Sequence, residues 1–561
     1  MWVESIRGVS RNRKPPLGQV TLEAPTEFEE ICQAMADPAF YPHEVFRLER
    51  RDTHISTVFL TGEWAYKIKK PVDFGFLNFA DLESRRYFCE QEVRLNQRLS
   101  HGVYQEVVSI RRDENNRFRP ASGGEVVEYA VRMKQLDEKE SLLWLLESGG
   151  ISGADMQRLG WLLADFYETS LRNAEIDQYG HADVIAFNME ENFFQIGPFV
   201  DDLVSPEDFE FIRQVSRAFF LSHGGLFARR VDAGRIRDGH GDLRCDHIYF
   251  SNGINVIDCI EFNDRFRYGD VISDLAFLHM DLEHRGGHDL SLAFLAAYAE
   301  RARDFEVYAL LDFYASYRAV VKVKVACLRS TEVHSAEEKE ALKAEARSYL
   351  LQAYRYALQF SRPTIWVMMG LPASGKSSLG EAMAETLSLP LLQSDAIRKE
   401  LAGRQIHQAE IVPYDGGIYQ SSMRQRIYAK MLTSAQEELK KGHSVVLDAT
   451  FSKSRWRDEV RQLASDLDTN LIFVECACGD EIIRRRLEER EGQWGISDAR
   501  LMHLPRMVLE YEAPHEMDSV HLVRVDTSLP FGESISRALS EGYAKRCRQV
   551  KTLYTKIGPE V

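Results

Sequence analysis

The stretch GLPASGKSS, residues 370–378, follows the apolar run TIWVMM and precedes the segment LGEAMAETLSL. It matches the pattern GxxxxGK[ST], with Gly370, Gly375, Lys376 and Ser377 at the fixed positions. The β-branched and aromatic residues before the loop predict a strand, and the helical spacing of apolar residues after it predicts a helix. Because a phosphate-binding loop requires this strand–loop–helix setting, the stretch predicts an α/β domain with a parallel sheet and a nucleotide site.

The chemistry of such a loop follows from its residue types. Glycines let the backbone curl so that its N–H groups point inward, and the helix N-terminus adds partial positive charge. Lys376 reaches the β- and γ-phosphates, and the Ser377 hydroxyl offers a ligand to Mg²⁺. No NKxD-like segment for guanine occurs in residues 361–561, so ATP with Mg²⁺ is the expected pair. The predicted nucleotide-binding residues are Gly370, Leu371, Pro372, Ala373, Ser374, Gly375, Lys376, Ser377 and Ser378.

A second acid is expected at the end of another strand. The segment SVVLDAT, residues 444–450, has apolar-leaning positions followed by Asp448. It comes after a helix-like stretch that Gly442 closes as a C-cap. Asp448 is therefore the candidate that holds Mg²⁺ through water, and the alternative is an N-cap for the next helix.

The segment LLQSDAIRKEL, residues 391–401, predicts a short strand followed by a helix with Ser394 or Asp395 as its N-cap. The DxxR spacing puts Asp395 and Arg398 about one turn apart on one face. Asp395 can accept a proton from an attacking hydroxyl, and Arg398 can hold an anionic group of the acceptor. The alternative is a capping aspartate with a solvated arginine.

A basic helix is predicted over EIIRRRLEEREG, residues 481–492, where Arg486 and Arg490 are i,i+4 neighbours. Arginines above a phosphate loop can neutralise charge on a transferred phosphoryl group. The alternative is an exposed helix in which Arg486 and Arg490 pair with Glu489 and its neighbours.

Residues 361–561 resemble the small P-loop kinases that include polynucleotide kinase, zeta-toxin-like sugar-nucleotide kinases and gluconate kinase. The matching segments are GLPASGKSS, SDAIRKEL, VVLDATF and RRRLEER. This resemblance implies that Asp395 is the general base, Arg398 a substrate clamp, and Arg486 and Arg490 lid residues. Acceptors vary widely within the group, so the resemblance does not identify one.

The strongest pattern in the first 360 residues is HGDLRCDHIYF, residues 240–250. It precedes a predicted hairpin, HIYF–SNG–INVID, with its turn at 251–253. Asp242 and Asp258 therefore flank one short hairpin. In kinase-like folds this arrangement places a catalytic and a metal-binding aspartate at one phosphate group.

Upstream, VFLTGEWAYKIKK (58–70) predicts two strands about Gly62, and Lys67 lies where a kinase VAIK lysine would be. Residues 85–99 predict a helix in which Glu92 can pair with that lysine. The VRMKQL stretch at 131–136 is the predicted hinge between two lobes.

Residues 40–330 resemble the aminoglycoside phosphotransferase family, which has a two-lobed, protein-kinase-like α+β fold. HGDL, VID and the later SDLA carry the resemblance. The family's metal-binding asparagine falls on His247 here, a poorer Mg²⁺ ligand than an oxygen donor. Asp246 is an alternative ligand, and Glu261 competes with Asp258. The chain also has no glycine-rich loop before Lys67.

The whole chain resembles bacterial proteins that fuse an aminoglycoside-phosphotransferase-like domain, here 1–360, to a P-loop kinase domain, here 361–561. Its 561 residues are too many for a single core. The formal charge is −16, with 70 Lys+Arg against 86 Asp+Glu, which argues against bulk attraction to nucleic acid or anionic membrane. A basic stretch at 317–329 is interpreted as the solvated face of a helix rather than a nucleic-acid groove.

The remaining features predict an ordinary intracellular protein. Eight scattered cysteines without a CxxC pair predict buried structural thiols. No apolar run is long enough to span a bilayer, and the N-terminus lacks the apolar core of a secretory signal. We therefore expect a cytoplasmic protein without membrane partners.

The leading hypothesis is an ATP- and Mg²⁺-dependent kinase whose P-loop domain phosphorylates a hydroxyl of a small molecule or nucleotide-like acceptor. A nucleic-acid 5′-end is the one nucleic-acid substrate left open. The first 360 residues are then a second kinase or a substrate-recruiting module. The alternative is a regulatory ATP-binding switch with a catalytically silent kinase-like domain.

Overall fold

The computed structural model describes residues 26–75, 77–120, 123–403, 420–489 and 500–557. They fold as two compact units. Described residues up to Arg94 and from Gly102 to Gln135 form the first unit, whereas Leu95–His101 and the residues from Leu136 onward form the second. The chain passes from one unit to the other after Gln135, inside the predicted hinge.

The first unit is built on a six-stranded antiparallel sheet with the order β1-β2-β3-β6-β4-β5. Two buried residues of β3, Tyr66 and Ile68, pack into one hydrophobic cluster. Because side chains alternate along a strand, Lys67 and Lys69 lie on the opposite face. The elements are α1 (Glu27–Met35), β1 (Glu49–Asp52), β2 (Ser56–Leu60), β3 (Trp64–Lys69), α2 (Leu82–Asn96), β4 (Tyr104–Arg112), β5 (Phe118–Arg119) and β6 (Glu125–Lys134).

The second unit begins with a mainly helical region, residues 136–361. Two short antiparallel pairs, β7 with β10 and β8 with β9, lie within it, and the second pair confirms the predicted hairpin. The elements are α3 (Leu142–Ser148), α4 (Gly153–Thr169), α5 (Ala174–Asp177), α6 (Ala182–Ile196), α7 (Pro206–Ser222), α8 (Gly224–Asp232), β7 (Ile236–Asp238), β8 (Ile248–Tyr249), β9 (Asn255–Val256), β10 (Tyr268–Asp270), α9 (Val271–His284), α10 (His288–Ala302), α11 (Val307–Ser330) and α12 (Ala336–Ser361).

The rest of the second unit contains a five-stranded parallel sheet with the order β12-β13-β11-β14-β15. The central strand β11 is the predicted TIWVMM segment, and all of its residues are buried, as expected for a strand covered on both faces. The elements are β11 (Thr364–Met369), α13 (Lys376–Leu387), β12 (Leu391–Gln393), α14 (Ser394–Leu401), α15 (Ser421–Lys440), β13 (Val445–Asp448), α16 (Ser454–Asp466), β14 (Asn470–Ala477), α17 (Asp480–Glu489), α18 (Leu504–Glu510), β15 (Leu522–Asp526) and α19 (Phe531–Ile557).

One continuous cluster of buried side chains joins the helical region to the parallel sheet. It contains Phe313 of α11 and Tyr356 of α12 together with Trp366 and Met368 of β11. The predicted domain boundary at residues 360 and 361 therefore lies inside one compact unit.

Helix α19 adds polar contacts to this shared core. The Tyr543 hydroxyl donates a hydrogen bond to Asp312 of α11 at 2.6 Å, and Arg546 forms an ion pair with the same carboxylate. Burial raises the pKa of Asp312, and the Arg546 charge opposes that shift. Removal of either partner would leave an unpaired buried charge and destabilise the fold. These contacts therefore attach α19 to the helical region.

Two general expectations concern cysteines and membranes. The eight cysteines, all within the described segments, form no disulfide; seven are buried and Cys478 is half-buried, which confirms the expectation of buried structural thiols for all but Cys478. Among the helices of the described segments, none combines the length and the apolar character needed to cross a membrane.

Candidate active site

The loop between β11 and α13, here called the phosphate loop (residues 370–378), is shaped by two glycines with positive φ. Gly370 has a φ of +139°, and a Cβ atom there would stand 2.4 Å from the carbonyl oxygen of Cys476. Gly375 has a φ of +85°. Only glycine adopts these conformations without strain, so the glycine pattern is explained by the shape of the loop.

Hydrogen bonds from two other strand ends hold the loop. The Thr527 hydroxyl, just after β15, donates to the carbonyl of Ser374 at 2.6 Å. The Gly370 amide donates to the carbonyl of Thr450 at 3.3 Å. Helix α13 starts directly after Gly375, whose position adds no side-chain cap. The first amides of α13 and its dipole therefore form an anion-binding helix terminus.

Asp448 ends β13 beside this loop, and strand register pairs it with Met368 and Gln393. The residue is only 4% exposed. Burial raises the pKa of Asp448, while the Lys376 charge and hydrogen bonds from Ser377 and Gln393 lower it. Among the described residues its Oδ1 atom has no hydrogen-bond partner, although buried oxygens are normally paired. The alternative prediction, that Asp448 is the N-cap of the next helix, is wrong because α16 begins six residues later.

Ser377 and Asp448 fit a magnesium–nucleotide pair. Their hydroxyl and carboxylate are oxygen donors of the kind that Mg²⁺ prefers. A metal-bound water would also satisfy the Oδ1 atom of Asp448. The described part of the chain has no cluster of three or more His, Cys, Asp or Glu residues arranged around a metal. Magnesium sites commonly use one or two protein ligands with phosphates and water, so this small donor set suffices.

Asp395 lies in the first turn of α14, immediately after β12. It forms an ion pair with Arg398, as the DxxR spacing predicts. Its charge also raises the pKa of Asp448, which puts both carboxylates in one site. The predicted capping role of Ser394 or Asp395 is wrong, because the helix begins at Ser394 and its N-cap, Gln393, makes no side-chain cap bond. The chain passes directly from strand to helix there.

Arg486 of α17 contacts the phosphate loop from outside. Its guanidinium donates to the carbonyls of Ala373 at 3.2 Å and Thr527 at 2.7 Å. The neighbouring Arg485 is the residue that pairs with Glu489. Arg486 therefore supports the loop, and its role toward a transferred phosphoryl group stays a prediction.

Two residues of this site were missed by the sequence analysis. Gln393 pairs with Asp448 in the strand register and lowers the pKa of its carboxyl group, and Thr527 closes the phosphate loop. Both residues lie at the carboxyl ends of parallel strands. Ligand-binding residues of α/β sheets lie at these ends, so a search of the residues that follow each predicted strand would have identified them. Arg490, predicted beside Arg486, lies outside the described residues.

In the first unit the predicted lysine–glutamate pair is confirmed. The Nζ atom of Lys67 lies 2.8 Å from Oε1 of Glu92. A second lysine was missed: the Nζ atom of Lys69 lies 2.8 Å from Oε2 of the same carboxylate. Lys69 is as deeply buried as Glu92, each with 1% of its side chain exposed. Nucleotide binding by Lys67 and Glu92 stays a prediction.

In the second unit the Asp242 loop (residues 239–247) is held by Asp274 of α9. The Asp274 carboxylate accepts from the amides of His240 at 2.6 Å and Gly241 at 2.9 Å. The His240 ring bonds to the carbonyl of Ile257 at 3.0 Å. Burial lowers the pKa of His240 to about 4, so its imidazole is a neutral structural group that shapes the loop.

The predicted residues Asp242, His247 and Asp258 lie together around an arginine. The Nε2 atom of His247 is 3.6 Å from Oδ2 of Asp258. The Nε atom of Arg244 is 3.1 Å from Oδ1 of Asp242, and its Nη2 atom is 3.2 Å from Oδ2 of Asp246. Sequence reasoning quoted this arginine within its motif without assigning it a role.

A family model and several proteins are similar to this chain or to parts of it. A family model described as "AAA domain" matches residues 365–514, which contain the phosphate loop, Asp395 and Asp448. The uncharacterized protein Rv2004c of Mycobacterium tuberculosis (strain ATCC 25618 / H37Rv) is 32% identical over 493 residues, or 88% of this chain and 94% of that protein. A shikimate kinase of Rhodococcus jostii (strain RHA1) is 33% identical over 95 residues, or 14% of this chain and 55% of that protein.

Two solved structures are similar to parts of the chain. A gluconokinase from Sinorhizobium meliloti 1021 is 24% identical with a TM-score of 0.26, covering 35% of this chain and 99% of that chain. The GDP complex of aminoglycoside 2′-phosphotransferase-IIIa is 14% identical with a TM-score of 0.37, covering 59% and 99%. The parallel sheet and its phosphate loop lie within the residues that the AAA-domain model matches.

Proposed function

The chain belongs to the family of the uncharacterized Mycobacterium tuberculosis protein Rv2004c, and we propose that it transfers the γ-phosphoryl group of ATP to an acceptor hydroxyl. The transfer takes place in the P-loop domain. One observation carries the proposal: buried Asp448 keeps an oxygen without a partner among the described residues, beside Lys376, Ser377 and Asp395. Most buried side-chain oxygens are hydrogen-bonded, so the unpaired Oδ1 atom of Asp448 supports a ligand at this position.

The residues divide the work between binding and proton transfer. Lys376 and the amides of α13 hold the phosphates. Ser377 and Asp448 would hold Mg²⁺, which when bound neutralises phosphate charge. Asp395 accepts the proton as the acceptor oxygen bonds to phosphorus and the bond to ADP breaks. The ion pair with Arg398 orients Asp395 for this step.

The proposed acceptor is a small molecule or nucleotide that carries an anionic group near its hydroxyl. Burial raises the pKa of Tyr428, and the positive charges of Arg424 and Arg398 lower it. Both arginines therefore lie near the Tyr428 phenol. Asp395, beside Arg398, keeps 26% of its side chain exposed and is open to an acceptor. The sequence match to a shikimate kinase supports a small-molecule acceptor.

A regulatory ATP-binding switch is the second candidate. It is supported by the continuous core that joins α11 and α12 to β11 and by the contacts of α19 with Asp312. In a switch, the nucleotide state of the phosphate loop would act on the helical region through this core. Turnover of ATP would then be slow and insensitive to acceptors.

The test is ATP turnover by the full-length protein with panels of sugars, hydroxy acids, nucleosides and 5′-hydroxyl oligonucleotides. The parent is compared with Lys376→Met and with the matched control Lys441→Met, whose lysine is on the surface of the same domain with 60% of its side chain exposed. We expect one acceptor class to raise turnover about tenfold or more in the parent and the control, but not in Lys376→Met. Acceptor-stimulated turnover that survives Lys376→Met would refute the proposal. Slow turnover unaffected by every acceptor would favour the switch.

A further inference from the structure

Arg244 occupies the centre of the acidic cluster in the Asp242 loop. Its Nε atom lies 3.1 Å from Oδ1 and 3.2 Å from Oδ2 of Asp242. Its Nη2 atom lies 3.2 Å from Oδ2 of Asp246 and 2.9 Å from Nε2 of His247. One guanidinium therefore contacts two carboxylates and the imidazole that sequence analysis assigned to a metal.

The hydrogen bonds of His247 fix which ring nitrogen can act as a ligand. Its Nδ1 atom lies 2.9 Å from the carbonyl oxygen of Asp242, and because a carbonyl only accepts, Nδ1 carries the proton. The lone pair is then on Nε2, where it accepts from Arg244. A metal bound to that nitrogen would have to displace the guanidinium.

The position of Arg244 is itself held by the fold. The amide of Cys245 donates to Asp281 of α9 at 2.8 Å, which anchors the chain next to the arginine. Although burial alone would lower it, the carboxylates of Asp242, Asp246, Asp281 and Asp258 hold the pKa of Arg244 above its ordinary value.

These contacts place Arg244 on the atoms that a metal ion would use as ligands. Asp242 has Arg244 on both of its oxygens. The Oδ1 atom of Asp246 has no hydrogen-bond partner among the described residues, but its other oxygen is paired with Arg244. A divalent ion at Nε2 of His247 or at Oδ2 of Asp246 would meet the Arg244 guanidinium, and the residues present therefore do not fit one.

We propose that Arg244 is a resident cation that takes the place of a divalent metal in the Asp242 loop. Without a divalent ion to neutralise phosphate charge, the region that contains the Asp242 loop is catalytically silent. This inference does not depend on the function proposed for the P-loop domain. It predicts one divalent-metal site per chain.

Cleavage of the full-length protein by Fe²⁺ and ascorbate tests the proposal, because iron in a magnesium site cuts the backbone near its ligands. The proteins are the parent, Arg244→Met, the charge-keeping Arg244→Lys and the matched control Arg301→Met, an exposed arginine of the same unit. Fragments are mapped by mass spectrometry with ADP present, with and without excess Mg²⁺.

We expect no Mg²⁺-suppressed cut within residues 240–260 in the parent, in Arg244→Lys or in Arg301→Met. Arg244→Met should gain such cuts, at about ten times the parent yield or more. Cuts there in the parent would overturn the proposal, as would a folded Arg244→Met that gains none. If Arg244→Met does not fold, the parent and Arg244→Lys patterns decide. Cuts near Ser377 and Asp448 report separately on the P-loop domain.

Discussion

The phosphate loop and the Asp242 loop both place a basic side chain beside an aspartate, yet their charges are balanced differently. In the P-loop domain, buried Asp448 keeps an oxygen without a partner among the described residues. In the Asp242 loop, Arg244 contacts both oxygens of Asp242. The sequence motif of each loop therefore indicates its fold. Whether the loop binds a divalent metal depends on whether a basic side chain already pairs with its aspartate.

In both loops, one side chain from another part of the chain is among the groups that hold the backbone. Asp274 accepts from two amides of the Asp242 loop, and Thr527 donates to the carbonyl of Ser374 in the phosphate loop. The loops differ in whether an arginine pairs with the aspartate, and substitutions in each loop test this difference.

Replacement of Asp395 by asparagine should have the largest effect. The amide cannot accept the proton of the acceptor hydroxyl, so phosphoryl transfer should fall by about 10²- to 10⁴-fold while ATP binding is kept. Single-turnover transfer and equilibrium nucleotide binding measure the two quantities. Transfer at the parent rate would show that Asp395 is not the base.

Lys376→Met should reduce ATP turnover by about 10²- to 10³-fold, because a cation that stabilises the transferred phosphoryl group is lost. Lys441→Met is the matched control and should turn over ATP like the parent. Equal losses in both variants would point to instability of the domain rather than to a role in binding.

Asp448→Asn should raise the Mg²⁺ concentration needed for half-maximal turnover by about tenfold to 100-fold, since loss of a group that orients a metal has costs of that size. A Mg²⁺ titration at saturating ATP measures the shift. An unchanged midpoint would contradict the assignment of Asp448 to the metal.

Thr527→Val keeps the shape of the side chain but removes its hydrogen bond to Ser374. Because a neutral hydrogen bond contributes about 0.5–1.5 kcal/mol, the KM for ATP should rise by about two- to tenfold with little change in the melting temperature. An unchanged KM would mean that the loop holds its shape without Thr527.

Asp242→Asn should have the smallest effect, altering ATP turnover by no more than about twofold, because distant sites contribute independently. The same assay measures it. A loss as large as that of Lys376→Met would show that the Asp242 loop is the active one and would reverse the comparison.

The sequence predicted most of the P-loop domain because its signals are local. Strand β11 has the predicted ends, Thr364 and Met369, and Asp448 and Asp395 follow short apolar runs that are strands. Thr527 was missed because its contact with Ser374 joins positions 153 residues apart, and no local pattern encodes that pairing.

For the first unit and the Asp242 loop, the sequence predicted which residues come together but missed some of their contacts. The pairing of Lys67 with Glu92 is confirmed, but Lys69 shares the same carboxylate. Arg244 is part of the motif HGDLRCDH itself. Its effect on Asp242 and His247 depends on where the guanidinium lies, and spacing alone does not determine a side-chain position.

The stoichiometry of nucleotide binding tests the central claim most directly. Calorimetric titration of the full-length protein with a non-hydrolysable ATP analogue and Mg²⁺ should give one molecule bound per chain in the parent and in Asp242→Asn, and none in Lys376→Met. Two molecules per chain, or one that persists in Lys376→Met and disappears in Asp242→Asn, would contradict the account.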